Sequence, residues 1–87
     1  MRESKIEKAL VKRVKAEGGQ IRKVTWPGRR GAPDRLVMMP GRNPVFVELK
    51  APRGRLSKLQ EREHEVLRNW FVVHVVWSLD ALNEVFT

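Results

Sequence analysis

Residues 31–50 read GAPDRLVMMPGRNPVFVELK. Two short apolar runs, 35–39 and 45–49, flank Pro40-Gly41-Arg42-Asn43-Pro44, which reads as a five-residue hairpin loop by its Pro and Gly content. Side chains on a strand alternate between faces. Val45, Val47 and Leu49 therefore share one face, and Phe46, Glu48 and Lys50 share the other. If the loop closes a simple hairpin, Met39 lies opposite Val45 and Asp34 lies opposite Lys50. Glu48 is then a diagonal neighbour of Asp34, about 7–8 Å away between backbone positions. The hairpin gathers two carboxylates and a lysine at one strand end.

Elements on either side follow from periodicity. Over 4–18, Ile6, Leu10 and Val14 repeat at helical spacing and Val11 widens the stripe. Ser4 with Glu7 reads as a capping box, and Gly18-Gly19 as the stop. Residues 20–26 hold the β-formers Ile21, Val24, Thr25 and Trp26. A Pro/Gly-rich loop over 27–33 leads into the hairpin, and a second basic loop spans 51–56. Ser57 with Gln60 is another capping box, opening a helix to about Asn69. FVVHVVW, 71–77, reads as a central strand covered on both faces. A short helix capped by Ser78 closes the chain, with Leu79, Leu82, Val85 and Phe86 inward. The order α-β-β-β-α-β-α predicts one α/β domain over 1–87, a small mixed sheet flanked by helices, with a right-handed parallel crossover from 45–49 to 71–77.

Composition narrows the partners. The 87 residues carry a net charge of +8 and an isoelectric point near 10.9. Residues 1–62 hold 17 of the 18 basic residues and six of the ten acidic ones, for +11, and residues 63–87 carry −3. That asymmetry points to a face that binds a polyanion, nucleic acid above all. Arg29, Arg30, Arg53 and Arg55 sit in the two loops that flank the carboxylates, placed to grip phosphates. The chain has no cysteine, which excludes disulfides and thiolate zinc sites. Two histidines far apart in sequence make no zinc site, and His64 and His74 read as structural. Trp26 beside a basic loop has the chemistry to stack on a base, although packing is the commoner use; Trp70 and Trp77 read as packing. No stretch reaches the roughly 18 apolar residues of a membrane span and no signal peptide is evident. The expectation is a soluble protein of a bacterial or phage-infected cytoplasm.

Two close carboxylates repel unless a cation lies between them. Asp34 and Glu48 suit a hard cation such as Mg²⁺, which takes oxygen ligands and keeps several waters. Lys50 offsets the acidic charge and can hold or deprotonate the attacking water. Metal-assisted hydrolysis of a phosphodiester needs those parts. A cross-strand salt bridge between Asp34 and Lys50, worth about 0–1 kcal/mol at a surface, accounts for the same spacing without chemistry.

Gly31-x-Pro33-Asp34, Glu48-x-Lys50 and Ser57-x-x-Gln60 in this frame resemble the VRR-NUC family of the PD-(D/E)xK nuclease superfamily. The resemblance runs from the first helix to the last strand and implies a restriction-endonuclease-like core. It implies that Asp34, Glu48 and the Leu49 carbonyl bind metal, that Lys50 serves the nucleophilic water, and that Gln60 shapes the site. It also implies an acid from the first helix, for which Glu7 fits, although Glu7 is equally explained as the cap partner of Ser4. The implied cofactor is Mg²⁺, with Mn²⁺ as substitute, and the implied products are 5′-phosphate and 3′-hydroxyl ends. Compact members resemble Holliday-junction resolvases and work as homodimers. The expectation is therefore a structure-specific endonuclease acting on four-way junctions. Duplex, nicked or flapped DNA remains an alternative substrate, and a non-catalytic nucleic-acid-binding module the alternative class.

Overall fold

The computed structural model describes residues 3–87. Helix α1, Glu3–Ala16, buries Ile6, Leu10 and Val14 completely. It begins before Ser4, so Ser4 lies inside the helix rather than at its cap. At the other end Gly18 adopts φ +81° and the Gly19 N–H donates to the Val14 carbonyl at 2.8 Å, the bond that closes a Schellman motif. Gly19 is needed for space: a Cβ there would lie 2.7 Å from the Met38 carbonyl oxygen.

Strands β1 (Gln20–Lys23), β2 (Arg35–Met38), β3 (Val45–Leu49) and β4 (Val73–Val76) form one sheet in the order β1-β2-β3-β4. The first two pairings are antiparallel and β3–β4 is parallel. Helix α2, Lys58–Leu67, connects the parallel pair, and a 3₁₀ helix, Asp80–Phe86, ends the chain. The mixed α/β class and the element order are those expected from the sequence.

Face alternation separates two cores. Val37, Val47, Leu49 and Val76 pack with α1 and with Leu82, Val85 and Phe86 of the 3₁₀ helix. On the opposite face Phe46, Leu67 and Val73 pack with Trp26, Ala32 and Leu36. Trp26 is thus a core residue; its ring lies 5.4 Å from Phe46 and its indole N–H donates to the Pro33 carbonyl at 2.8 Å. Arg13 ties α1 to the C-terminus, donating to Asn83 at 2.6 Å and lying 4.3 Å from the Phe86 ring centre.

Three expectations are corrected. The hairpin register is Val37 opposite Val45 and Arg35 opposite Val47, two residues away from the simple closure. Met39 leaves the ladder to pack against the α1 core. A shift of two preserves every face, whereas a shift of one would have reversed them. Strand β4 is an edge and not a centre, because it pairs only with β3. Phe71 and Val72 before it are exposed, as is Trp70 at 72%, so its apolar run does not signal burial on both faces. Leu79, expected inward, is also exposed.

Candidate active site

The corrected register sharpens the carboxylate pair. Extended one step beyond Arg35–Val47, it sets Asp34 opposite Glu48, with Lys50 as the diagonal neighbour. The Phe46 and Lys50 N–H groups donate to the Val72 and Val76 carbonyls of β4. Even-numbered residues of β3 therefore turn their backbone groups away from β2. The 34/48 pair is then of the non-hydrogen-bonded kind, in which opposing side chains come closest, about 4.5 Å between Cα atoms. One step further, Leu49 lies opposite Pro33, which is fully buried. Proline has no N–H to offer the Leu49 carbonyl.

Glu48 is the electrostatic centre of the group. Its side chain is 14% exposed. Burial pushes its carboxyl up to about 7; Lys50 and Arg35 pull it down, and Asp34 and Glu3 push it further up. Four charged side chains thus act on one carboxylate. Glu3, passed over in the sequence in favour of Glu7, is one of the charges that act on Glu48. The structure places Glu7 in an ion pair with Arg35, which also contacts Asp34 at 2.8 Å. The available signal was that Glu3 occupies the first helical turn, four residues before Glu7.

Helix α2 covers the site from the other side. Ser57 Oγ accepts from the Gln60 N–H at 3.1 Å, and the Gln60 side-chain oxygen accepts from the Ser57 N–H at 2.9 Å. The capping box is made, and it leaves the Gln60 amide group unspent. His64, one turn on and on the same face, is 0% exposed, and its Nε2 lies 3.9 Å from Glu48 Oε1. Burial, aided by Arg68 and Lys50, holds its pKa below the usual histidine value.

The four loop arginines divide. Arg29 donates twice to buried Glu63 of α2, at 2.5 and 3.3 Å, and so braces the 27–33 loop. Arg30, Arg53 and Arg55 are exposed and form no ion pair among the described residues. The loop carrying Arg53 and Arg55 is fastened: the Gly54 N–H donates to the Ala51 carbonyl, and the Trp77 indole N–H to the Gly54 carbonyl, both at 2.7 Å. Trp77, read from the sequence as packing, is thus tied to this loop by its indole N–H.

A hard cation fits this donor set. Among the described residues no three acidic or histidine side chains converge on a point; two opposed carboxylates and a backbone carbonyl without a strand partner remain. Mg²⁺ accepts such sparse protein ligation and fills its sphere with water.

The raised Glu48 carboxyl makes stability depend on pH. Its folded value of about 7 lies above the ordinary 4.5, so the folded state holds this proton more tightly. The resulting stabilisation is complete below about pH 4.5 and lost as pH rises through about 7. In metal-free protein the expected loss is about 3 kcal/mol. Urea melts in EDTA at pH 5 and 7.5 measure it, and Glu48→Gln should lack that slope. Identical slopes in both proteins would contradict the assignment.

Comparison with known proteins follows the geometry. No family model matches the chain. "Putative nuclease p44" of Acyrthosiphon pisum secondary endosymbiont phage 1 is 46% identical over 81 residues, covering 93% of this chain and 85% of that protein. A solved VRR-NUC domain is 36% identical and superposes with a TM-score of 0.85, covering 97% of this chain and 92% of the other.

Proposed function

Because the chain belongs to the VRR-NUC family of nucleases, we propose that it is a metal-dependent endonuclease cutting branched DNA, with the four-way junction its preferred substrate. The observation that carries the proposal is Glu48: a carboxylate only 14% exposed, set by the register opposite a second one, Asp34, with its pKa raised to about 7 chiefly by burial. Asp34, Glu48 and the Leu49 carbonyl hold the ion. A bound Mg²⁺ or Mn²⁺ supplies Lewis-acid polarisation of the phosphate and lowers the pKa of a coordinated water.

The chain's own residues do the rest. Lys50 orients the water for in-line attack and offsets the charge of Glu48. Gln60, with its amide group free, lines the site beside the α2 N-terminus, where backbone N–H groups favour a phosphate. Arg30, Arg53 and Arg55 grip the backbone on either side of the scissile bond, and Arg29 contributes by bracing its loop. Glu3 supplies the acid from α1. Glu7 acts on the ion through Arg35 and Asp34 rather than as a ligand. Resolving a junction needs two nicks, hence two sites. The unpaired edge of β4 and the exposed Trp70, Phe71 and Val72 beside it suit the homodimer that would supply them.

The test is a cleavage panel of duplex, flap, splayed arm and four-way junction, run with Mg²⁺, Mn²⁺ or EDTA at an oligomeric state fixed by light scattering. Cleavage should require the divalent ion, be fastest on the junction and leave 5′-phosphates. Salt-sensitive binding without cleavage would instead establish a binding module. Equal rates on junction and duplex would retire the junction and keep the chemistry.

A further inference from the structure

His64 is a buried polar side chain with work unassigned. It is 0% exposed, and neither ring nitrogen has a hydrogen-bond partner among the described residues. Buried imidazoles are normally bonded, because an unmet N–H or lone pair forfeits its hydration. Its Nε2 lies 3.9 Å from Glu48 Oε1, so a displacement of about 1 Å brings the pair to hydrogen-bonding distance. The backbone fixes the approach: His64 follows Gln60 by one turn on the inner face of α2, and Glu48 projects from β3 toward that face.

We propose that His64 is a positioning residue that donates an Nε2–H hydrogen bond to Glu48 Oε1 and so presents the other carboxylate oxygen to the ion. This rests on the metal-site reading above. A carboxylate facing two ways from a strand can chelate, rotate or bond Lys50; a donor fixed behind one oxygen removes those choices. Partners behind a ligand typically change metal affinity by about 10–100-fold. Glu63, the preceding residue, is turned away to Arg29, which leaves His64 as the α2 side chain directed at Glu48.

The experiment measures Mn²⁺ binding without DNA, by the paramagnetic resonance of the free ion, for wild type, His64→Leu and His64→Gln. The leucine variant should bind about 10–100-fold more weakly. The glutamine variant keeps an N–H donor and should recover most of the loss. Wild-type affinity in His64→Leu, or equal weakness in both variants, overturns the proposal. The tautomer of the wild-type ring, read from long-range ¹⁵N–¹H correlation, gives a second readout needing no variant to fold. The Nε2–H form is expected, and the Nδ1–H form overturns the role. If wild type binds no Mn²⁺, the metal reading itself fails, while the tautomer still reports on the His64–Glu48 bond.

Discussion

Lys50→Ala is expected to lower the cleavage rate by about 10²–10⁴-fold, the range typical of a positioned proton-handling group, with the fold intact. Lys50 directly follows β3, and its N–H donates to the Val76 carbonyl at 2.9 Å. Alanine keeps that backbone bond and removes only the ammonium. The loss should appear in kcat more than in DNA binding, because the phosphate grip proposed for Arg30, Arg53 and Arg55 is untouched. Lys50→Arg separates two roles. It keeps the charge that lowers the Glu48 pKa and replaces a compact ammonium with a planar fork. Activity near wild type in the arginine variant would assign Lys50 to charge compensation; activity near that of alanine would assign it to the water. Single-turnover assays on a synthetic junction decide this, and an alanine variant that cuts at the wild-type rate would remove Lys50 from the site.

Gly31→Ala should cost about 2–4 kcal/mol of stability, combining the left-handed backbone penalty with an overpacked contact. Gly31 has φ +83°, and a Cβ there would stand 2.6 Å from the Leu59 carbonyl oxygen and 2.8 Å from the Gln60 nitrogen. Those atoms belong to the first turn of a capped helix and cannot retreat without breaking the cap. Gly28 is the natural control, with φ +75° and nothing within 4 Å of its would-be Cβ. Gly28→Ala should lose only the backbone share, about 1–2 kcal/mol. Urea melts of the two variants isolate the contact by difference, and equal losses would refute it. For a domain whose whole stability is of order 4–13 kcal/mol at typical per-residue values, the contact is substantial. It also seats the loop that ends at Asp34 against α2, so a folded Gly31→Ala should lose activity as well.

Much of this arrangement is legible in the chain because strand alternation has a period of two. That periodicity placed Glu48 and Lys50 opposite Val47 and Leu49, and it survives a register error of two. The register itself was not legible. It depends on Met39 leaving the ladder for the α1 core, a tertiary choice that no local residue encodes. The edge position of β4 escaped for a related reason, since Val-rich runs suit both edge and centre and only the strand order decides. Glu7 illustrates a third limit. Its spacing from Ser4 fits a cap, its place on α1 fits a metal site, and Arg35, 28 residues away, takes it instead. The tie from Trp77 to the 51–56 loop was not legible because its partner, the Gly54 carbonyl, lies 23 residues off. Separation hides a pair from any windowed reading.

Pro33 has a further consequence. A hairpin, once started, tends to zip until its backbone donors run out. Here the last pair of the ladder is Arg35–Val47, and the donor that its next hydrogen bond would need, at position 33, is missing. On the proposed function, folding and metal capture then do not compete for the same oxygen of Leu49: the sheet is denied it by covalent structure. An amino acid with an N–H at position 33 would let the hairpin close over its own reactive end. Proline there acts as a doorstop, keeping the strand pair ajar at the end where the proposed site lies.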